Sequence, residues 1–367
     1  MSKNKKATLL TTTAVATAVF LSGCGLFGGE EKKEIDPPQD VSYLEEEEMG
    51  TIEEAGATEE QTKEQKEEQG ADQEEAVETT VPTELYLIDK NGYVVSQTMD
   101  LPKTESVAKQ ALEYLVVNGP VQQHLPNDFR AVLPADTAMT VNIKDGTATV
   151  DFSNEFATYA EEDEQRILES VTWTLTQFDS IDNVKIQLNG KELDSMPVNG
   201  TPIGEKLSRA NGINVSTEGV VDITNSKPVT VYYIGGEAED YYYVPVTKRV
   251  ENDDSSEIET IVEELAAGPG YGTGLLSQFQ TGVKLVEEPK IDDGQVTLDF
   301  NESIYGSMEE KMVSEHVLNT LVLSLTEQKG IESVAVTVKG EAGLKTEGGK
   351  ELTEPVTRPQ NVNTGSF

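Results

Sequence analysis

One run of residues occurs twice in this chain, and it constrains the fold more than any other feature. Leu175 to Gly190 reads Leu-Thr-Gln-Phe-Asp-Ser-Ile-Asp-Asn-Val-Lys-Ile-Gln-Leu-Asn-Gly. Leu325 to Gly340, 150 residues on, reads Leu-Thr-Glu-Gln-Lys-Gly-Ile-Glu-Ser-Val-Ala-Val-Thr-Val-Lys-Gly. Leu175 matches Leu325, Ile181 matches Ile331, and Val184, Ile186 and Leu188 match Val334, Val336 and Val338. The shared positions describe a helix end and then an alternating strand closed by glycine, with one face kept apolar while the polar positions drift. The chain is therefore a duplicated domain.

Each copy extends upstream in the same order. Glu84–Ile88, Asn91-Gly92 and Tyr93–Val95 predict a hairpin with a type I′ turn, where both central residues need positive φ. Val229–Ile234 and Tyr241–Val246 are the counterpart around a longer loop. A helix follows, marked by Ala108, Ala111, Leu112, Leu115 and Val116 in one copy and by Ile258, Ile261, Val262 and Leu265 in the other. Gly119-Pro120 and Gly268-Pro269 stop these helices. A second hairpin turns on Asp145-Gly146 or Asp293-Gly294, and a longer helix carries Ile167, Val171 and Leu175 or Val317, Leu321 and Leu325 on one face. Each copy thus reads β-β-α-β-β-α-β. The expected fold is α+β, tandem small domains with two helices packed on one face of a mostly antiparallel sheet. The first domain is expected at 83–205, a linker at 206–227, the second domain at 228–356 and a loose tail at 357–367.

The N-terminal region is of another kind. Lys3, Lys5 and Lys6 precede an apolar run, Ala7 to Phe20, too short to span a bilayer, and residues 1–23 read as a signal peptide. The run ends at Leu21-Ser22-Gly23-Cys24, which resembles the lipobox of bacterial lipoproteins, and Cys24 is the expected site of diacylglycerol attachment. Two acyl chains suffice for stable anchoring, so no spanning helix is needed. The only cysteine of the 367 residues is thereby accounted for. Glu30 to Glu78 holds twenty Asp or Glu against four Lys and almost no large apolar residues. Such a stretch cannot bury enough surface to offset its chain entropy, and residues 24–82 read as an acidic disordered tether. A flexible chain of about 55 residues reaches roughly 40 Å. The whole chain carries a net charge of −39, which excludes nucleic acid as a partner and rules out electrostatic binding to an anionic membrane.

The lipobox, Thr149-Val150-Asp151-Phe152, Thr174 to Phe178 and the duplication itself resemble the GerM family of sporulation and germination lipoproteins, whose repeat is the GerMN domain. Glu84 to Tyr93, Lys109 to Leu115 and Phe129 to Asp136 are similar to the family as well. The resemblance implies a fold like the ring-building motif of secretion-system ring proteins, and a role in an envelope complex between mother cell and forespore. It also implies envelope proteins of the ring or channel type as partners, and a place on the cell membrane facing the intermembrane space. It brings no catalytic residue and no cofactor. The acidic tether is longer and more charged than the resemblance requires.

The residues themselves offer little chemistry. His124 lies in a loop without a second histidine, cysteine or Gly-x-Ser-x-Gly elbow near it, and His316 lies on a helix among apolar neighbours. No His-Glu-x-x-His is present, and no metal site is expected. Asp253-Asp254 and Asp292-Asp293-Gly294 lack the alternating acidic spacing of a calcium loop. Asp151 and Asp299 are the best carboxylates, but a catalytic pair shares one site in two environments, whereas these repeat one position in two domains. They are expected to be strand-end or capping residues. Tyr232, Tyr233, Tyr241, Tyr242 and Tyr243 fall on two strands that should pair. Two readings stay open for them: cross-strand packing, or an exposed aromatic surface for a protein or glycan. The expected function is a non-enzymatic, lipid-anchored assembly factor. The rival is a peptidoglycan-directed protein, either a wall-binding module or a hydrolase using carboxylates.

Overall fold

The computed structural model describes residues 79–363 apart from 221, 238–239, 254 and 308–310. The signal peptide, Cys24, nearly all of the acidic segment and residues 364–367 lie outside the described residues.

The first copy contains β1 (Thr80–Asp89), β2 (Val94–Pro102), α1 (Val107–Glu113), β3 (Phe129–Arg130), β4 (Met139–Lys144), β5 (Thr147–Phe152), α2 (Glu164–Leu175), β6 (Asn183–Leu188) and β7 (Lys191–Glu192). The second contains β8 (Ser226–Glu237), β9 (Asp240–Glu251), α3 (Glu257–Ala267), β10 (Lys290–Asp292), β11 (Gln295–Phe300), β12 (Met312–Val313), α4 (Glu315–Leu325) and β13 (Ser333–Val338). Three short strands, β14 (Leu344–Thr346), β15 (Glu351–Leu352) and β16 (Val356–Thr357), complete it. The fold is α+β and tandemly duplicated.

Hydrogen bonding divides the strands of each copy. The long hairpin, β1–β2 or β8–β9, stands apart from a four-stranded sheet ordered β4-β5-β6-β7 in one copy and β10-β11-β13-β16 in the other. Most pairings are antiparallel. The central pairs β5–β6 and β11–β13 are parallel, because α2 and α4 return the chain to the starting edge before the next strand begins. Asp145-Gly146 and Asp293-Gly294 are two-residue turns with positive φ at both positions. In the first hairpin only Gly92 takes positive φ, +88°. Asp89 accepts the amides of Asn91 and Tyr93 through Oδ1, so the turn is longer than the type I′ turn that Asn-Gly predicts.

Leu175 and Leu325 are fully buried at the ends of α2 and α4. The strand residues Val184, Ile186, Val334, Val336 and Val338 are buried, and Leu188 is half-buried against the same core. That core is continuous across both copies. The edge of β1 away from β2 is paired with β3 only at Ile88 and Asp89, and α2 occupies the rest of it. Thr174 Oγ1 accepts the Tyr86 amide at 3.2 Å, and Ser170 Oγ donates to the Tyr86 carbonyl. Gln177 accepts from the Glu84 amide at 2.8 Å and donates to its carbonyl. Side chains on one face of a helix thus satisfy backbone groups that a neighbouring strand would otherwise take.

Candidate functional site at the junction of the two copies

The five tyrosines of β8 and β9 do not assemble an exposed aromatic surface. Tyr232, Tyr233, Tyr242 and Tyr243 are buried, and only Tyr241, 44% exposed, faces solvent. The reason is that β8 and β9 are covered on both faces: Tyr233 and Tyr242 face α3 and the first copy, and Tyr232 and Tyr243 face α4 and Val362 of the following chain. Tyr233 donates to the carbonyls of Glu264 and Gly268 at the end of α3. Tyr242 donates at 2.7 Å to Asp89 of the first copy and lies edge-on to Phe129, ring centres 5.0 Å apart. Burial pushes the Tyr243 hydroxyl up to about 12, although Asn319 donates to its oxygen. Tyr241 lies edge-on to the imidazole of His316, whose Nδ1 is 3.1 Å from the Tyr243 hydroxyl. Burial lowers the pKa of His316, whereas His124 is exposed.

Asp151 and Asp299 serve the backbone. Each accepts at 2.8 Å the amide of the glycine that closes its repeat, Gly190 or Gly340. Asp299 also receives the Thr337 hydroxyl. Among the described residues no group of three or more His, Cys, Asp or Glu side chains converges to hold a metal ion.

The junction is built by residues of the expected linker at 206–227 and of the expected tail at 357–367. Within the described residues both are tied into the structure. Leu207 pairs with Val184 of β6, and Val356 pairs with Val334 of β13, so each segment leaves its own unit from the equivalent place. Each then crosses to the hairpin of the other unit. Ile213, which follows the first copy, exchanges hydrogen bonds with Thr247 on β9: its amide donates to Oγ1 at 2.9 Å and its carbonyl accepts the Thr247 amide at 2.9 Å. Val362, which follows the second copy, does the same with Thr98 on β2, at 2.9 and 3.1 Å.

The next residue is asparagine in both segments, and both adopt left-handed backbone, φ 48° at Asn214 and 56° at Asn363. Asn214 Nδ2 donates to the carbonyls of Val94 on β2 and Pro245 on β9, each at 2.7 Å, while its Oδ1 accepts the Val94 amide. Asn363 Nδ2 donates to the carbonyls of Ser96 on β2 and Tyr243 on β9, each at 2.9 Å, while its Oδ1 accepts the Tyr243 amide. Two asparagines therefore clasp β2 to β9 from equivalent positions.

An arginine begins each segment, Arg209 or Arg358, and both reach Glu327. Glu327 also accepts from Tyr232 at 2.7 Å. Burial opposes its ionisation, but the two guanidiniums outweigh this and lower its pKa. Arg209 stacks over Trp173 at 4.4 Å, and the indole donates to the Gly212 carbonyl. Arg358 lies 5.6 Å above the Tyr232 ring and 3.7 Å from Glu84 of the first copy.

The signal for these residues is present in the sequence. Arg209-Ala-Asn-Gly-Ile-Asn and Arg358-Pro-Gln-Asn-Val-Asn share arginine, a β-branched residue and asparagine at one spacing. A search for apolar periodicity passes over such segments because each has a single buried aliphatic side chain.

Comparison with known proteins bears on both copies. Residues 84–194 and 230–343 each match the Germane family model, described as sporulation and spore germination. The chain is 55% identical over 359 residues to the spore germination protein GerM of Bacillus subtilis, covering 97% of each. A solved structure of the tandem GerMN domains of the sporulation protein GerM from Bacillus subtilis is similar at 60% identity and a TM-score of 0.74. The match spans 78% of this chain and 100% of that one.

Proposed function

The chain belongs to the Germane family of sporulation and spore germination proteins, and on that premise we propose that it acts in sporulation and germination as a non-enzymatic, lipid-anchored assembly factor. The observation that carries this reading is the reciprocal crossing of Arg209–Asn214 and Arg358–Asn363. It fixes two equivalent domains in one relation, which is what a scaffold needs in order to present two surfaces at a set spacing. The carboxylates best placed for chemistry are engaged elsewhere. Asp151 and Asp299 hold turns, and Glu327 is shared by two arginines.

The anchor is diacylglycerol on Cys24, and the acidic segment sets the height of the domains above the extracytoplasmic face of the membrane. Among the described residues no helix is long and apolar enough to cross a membrane. The partners are envelope proteins of the ring or channel type between mother cell and forespore. The competing reading is a peptidoglycan-directed protein.

Two experiments test the proposal. Crosslinking in sporulating cells should join the chain to envelope proteins, whereas pelleting with purified peptidoglycan and a muropeptide-release assay should both be negative; release of muropeptides by the pure chain overturns the reading. Cys24→Ala should abolish membrane retention. A variant still retained to the wild-type degree removes the lipid anchor from the proposal.

A further inference from the structure

The two crossing segments are equivalent ligands on equivalent seats. Thr98 and Thr247 present the same hydroxyl and amide. Val362 and Ile213 answer with the same main-chain groups, and an asparagine follows in each case to bridge β2 and β9. Neither segment hydrogen-bonds through its β-branched residue to the hairpin of the unit it leaves; each caps the threonine of the other. Recognition of the C-terminal segment is thus shared: Thr98 and Ser96 belong to the other unit, whereas Glu327 and the pocket that takes the Val362 side chain belong to its own.

The C-terminal segment has the form of a separable arm. After β16 the exposed residues Pro359, Gln360 and Asn361 separate its two points of attachment. One is Arg358 at Glu327; the other is Val362–Asn363 at the seat. Val362 is buried in a small apolar pocket formed with Tyr232, Ile234, Tyr243 and Leu323, a cluster separate from the main core. Withdrawing the arm uncovers this pocket and the Thr98 groups while the main core keeps its own contacts. Every group of the seat belongs to the remainder of the molecule, so an arm of the same sequence from elsewhere meets identical partners.

We infer that the seat formed by Ser96, Thr98 and Tyr243 is a docking site for the arm Arg358–Asn363 of a second copy of this chain, so that two molecules join by exchanging C-terminal arms. Within one molecule the arm competes at an effective concentration in the millimolar range, which keeps a dilute chain closed on itself. Exchange is favoured where many copies are held close together. This inference rests on the junction geometry alone and is independent of the function proposed above.

A complementary pair of full-length variants removes the internal competitor. Both carry Cys24→Ala so that no acyl chain brings molecules together. Val362→Asp places a charge in the apolar pocket, disabling the arm and leaving the seat open. Thr98→Arg together with Ile234→Asp blocks both the hydroxyl seat and the apolar pocket and leaves the arm free. Each alone should elute as a monomer, and an equimolar mixture at about 100 µM, well within the range that tethered recognition can replace, should form a one-to-one complex by light scattering. Adding Asn363→Ala to the chain that carries Thr98→Arg and Ile234→Asp should abolish the complex. Two folded variants that stay monomeric when mixed overturn the inference. If either variant fails to fold, a labelled peptide spanning residues 353–367 is titrated against the full chain carrying Val362→Ala and Asn363→Ala. Saturable binding that weakens at least tenfold when the peptide carries Asn363→Ala supports the exchange, and absence of binding overturns it.

Discussion

Glu164 opens α2 beneath the loop at residues 198–201. It accepts the amides of Asn199 and Thr201 at 2.7 Å each, that of Val198 at 3.2 Å and the Tyr159 hydroxyl at 2.8 Å. Burial alone would raise its pKa, but the donated hydrogen bonds outweigh it and hold the carboxyl at about 2, below the ordinary 4.5. A carboxyl depressed on folding stabilises fully above its unfolded pKa and loses that contribution as the pH falls through the interval. Glu164→Gln should therefore be less stable than the parent at pH 7, and the gap should close between pH 4.5 and 2. Thermal melts of both chains across that range measure the difference, and a gap that stays constant would count against this account. Asp151 and Asp299 present the opposite case. Asparagine keeps an acceptor oxygen for the Gly190 or Gly340 amide, so Asp151→Asn and Asp299→Asn should cost less than about 1 kcal/mol and leave sporulation intact. A folded, correctly located Asp→Asn variant without function would return the carboxylate hydrolase to the front.

At the scale of elements, α2 and α4 each perform two tasks. Their apolar faces fill the core through Leu175 and Leu325, and their hydroxyls complete the edges of β1 and β8 through Thr174 and Ser324. Leu175→Ala and Leu325→Ala should each cost about 2–5 kcal/mol and by similar amounts, since both sites are closed on all sides. Thr174→Val keeps the shape but leaves the Tyr86 amide without a partner, an expected loss of about 1–3 kcal/mol. Denaturant melts of the intact chain measure all three, and a neutral Thr174→Val would remove the hydroxyl from the edge-completing role. The first task was legible in the sequence because burial imposes a period on apolar residues. Helices, hairpins and the matching of the two copies follow from it. Three things were not legible, for separate reasons. The parallel pairing of β5 with β6 depends on where the crossover helix sets the chain down, which periodicity does not encode. The burial of Tyr232, Tyr233, Tyr242 and Tyr243 depends on cover for both faces of the hairpin, from α3 and the first copy on one and from α4 and Val362 on the other, which alternation within the two strands does not encode. The arms carry one aliphatic anchor each and are held mainly by polar groups, so their composition looks like that of a linker.

At the scale of the whole molecule, the arms make the two copies interdependent, and Glu327 is where both arms meet. Its counterpart in the first copy is Gln177, whose amide binds the Glu84 backbone. The second copy thus replaces an amide with a charge at the point where Arg209 and Arg358 converge. Glu327→Gln keeps the volume and restores the residue type of the first copy, so a purely steric role predicts little change. A charge role predicts a large one: two guanidiniums, both partly withdrawn from water, lose their common counter-ion, and breaking such a buried arrangement costs about 3–5 kcal/mol. The expected result is a loss of that size in a denaturant melt, with little recovery in high salt, because screening acts mainly on exposed charges. The shape of the transition carries further information. A continuous core and crossed arms should give the parent one cooperative transition for both copies. Weakening the point shared by both arms should separate that transition into two, as each unit then unfolds with less help from the other. A Glu327→Gln chain that melts in one transition at the parent's midpoint would show that the arms hold without the charge, and would leave the asparagine clasps at Asn214 and Asn363 as the sufficient junction.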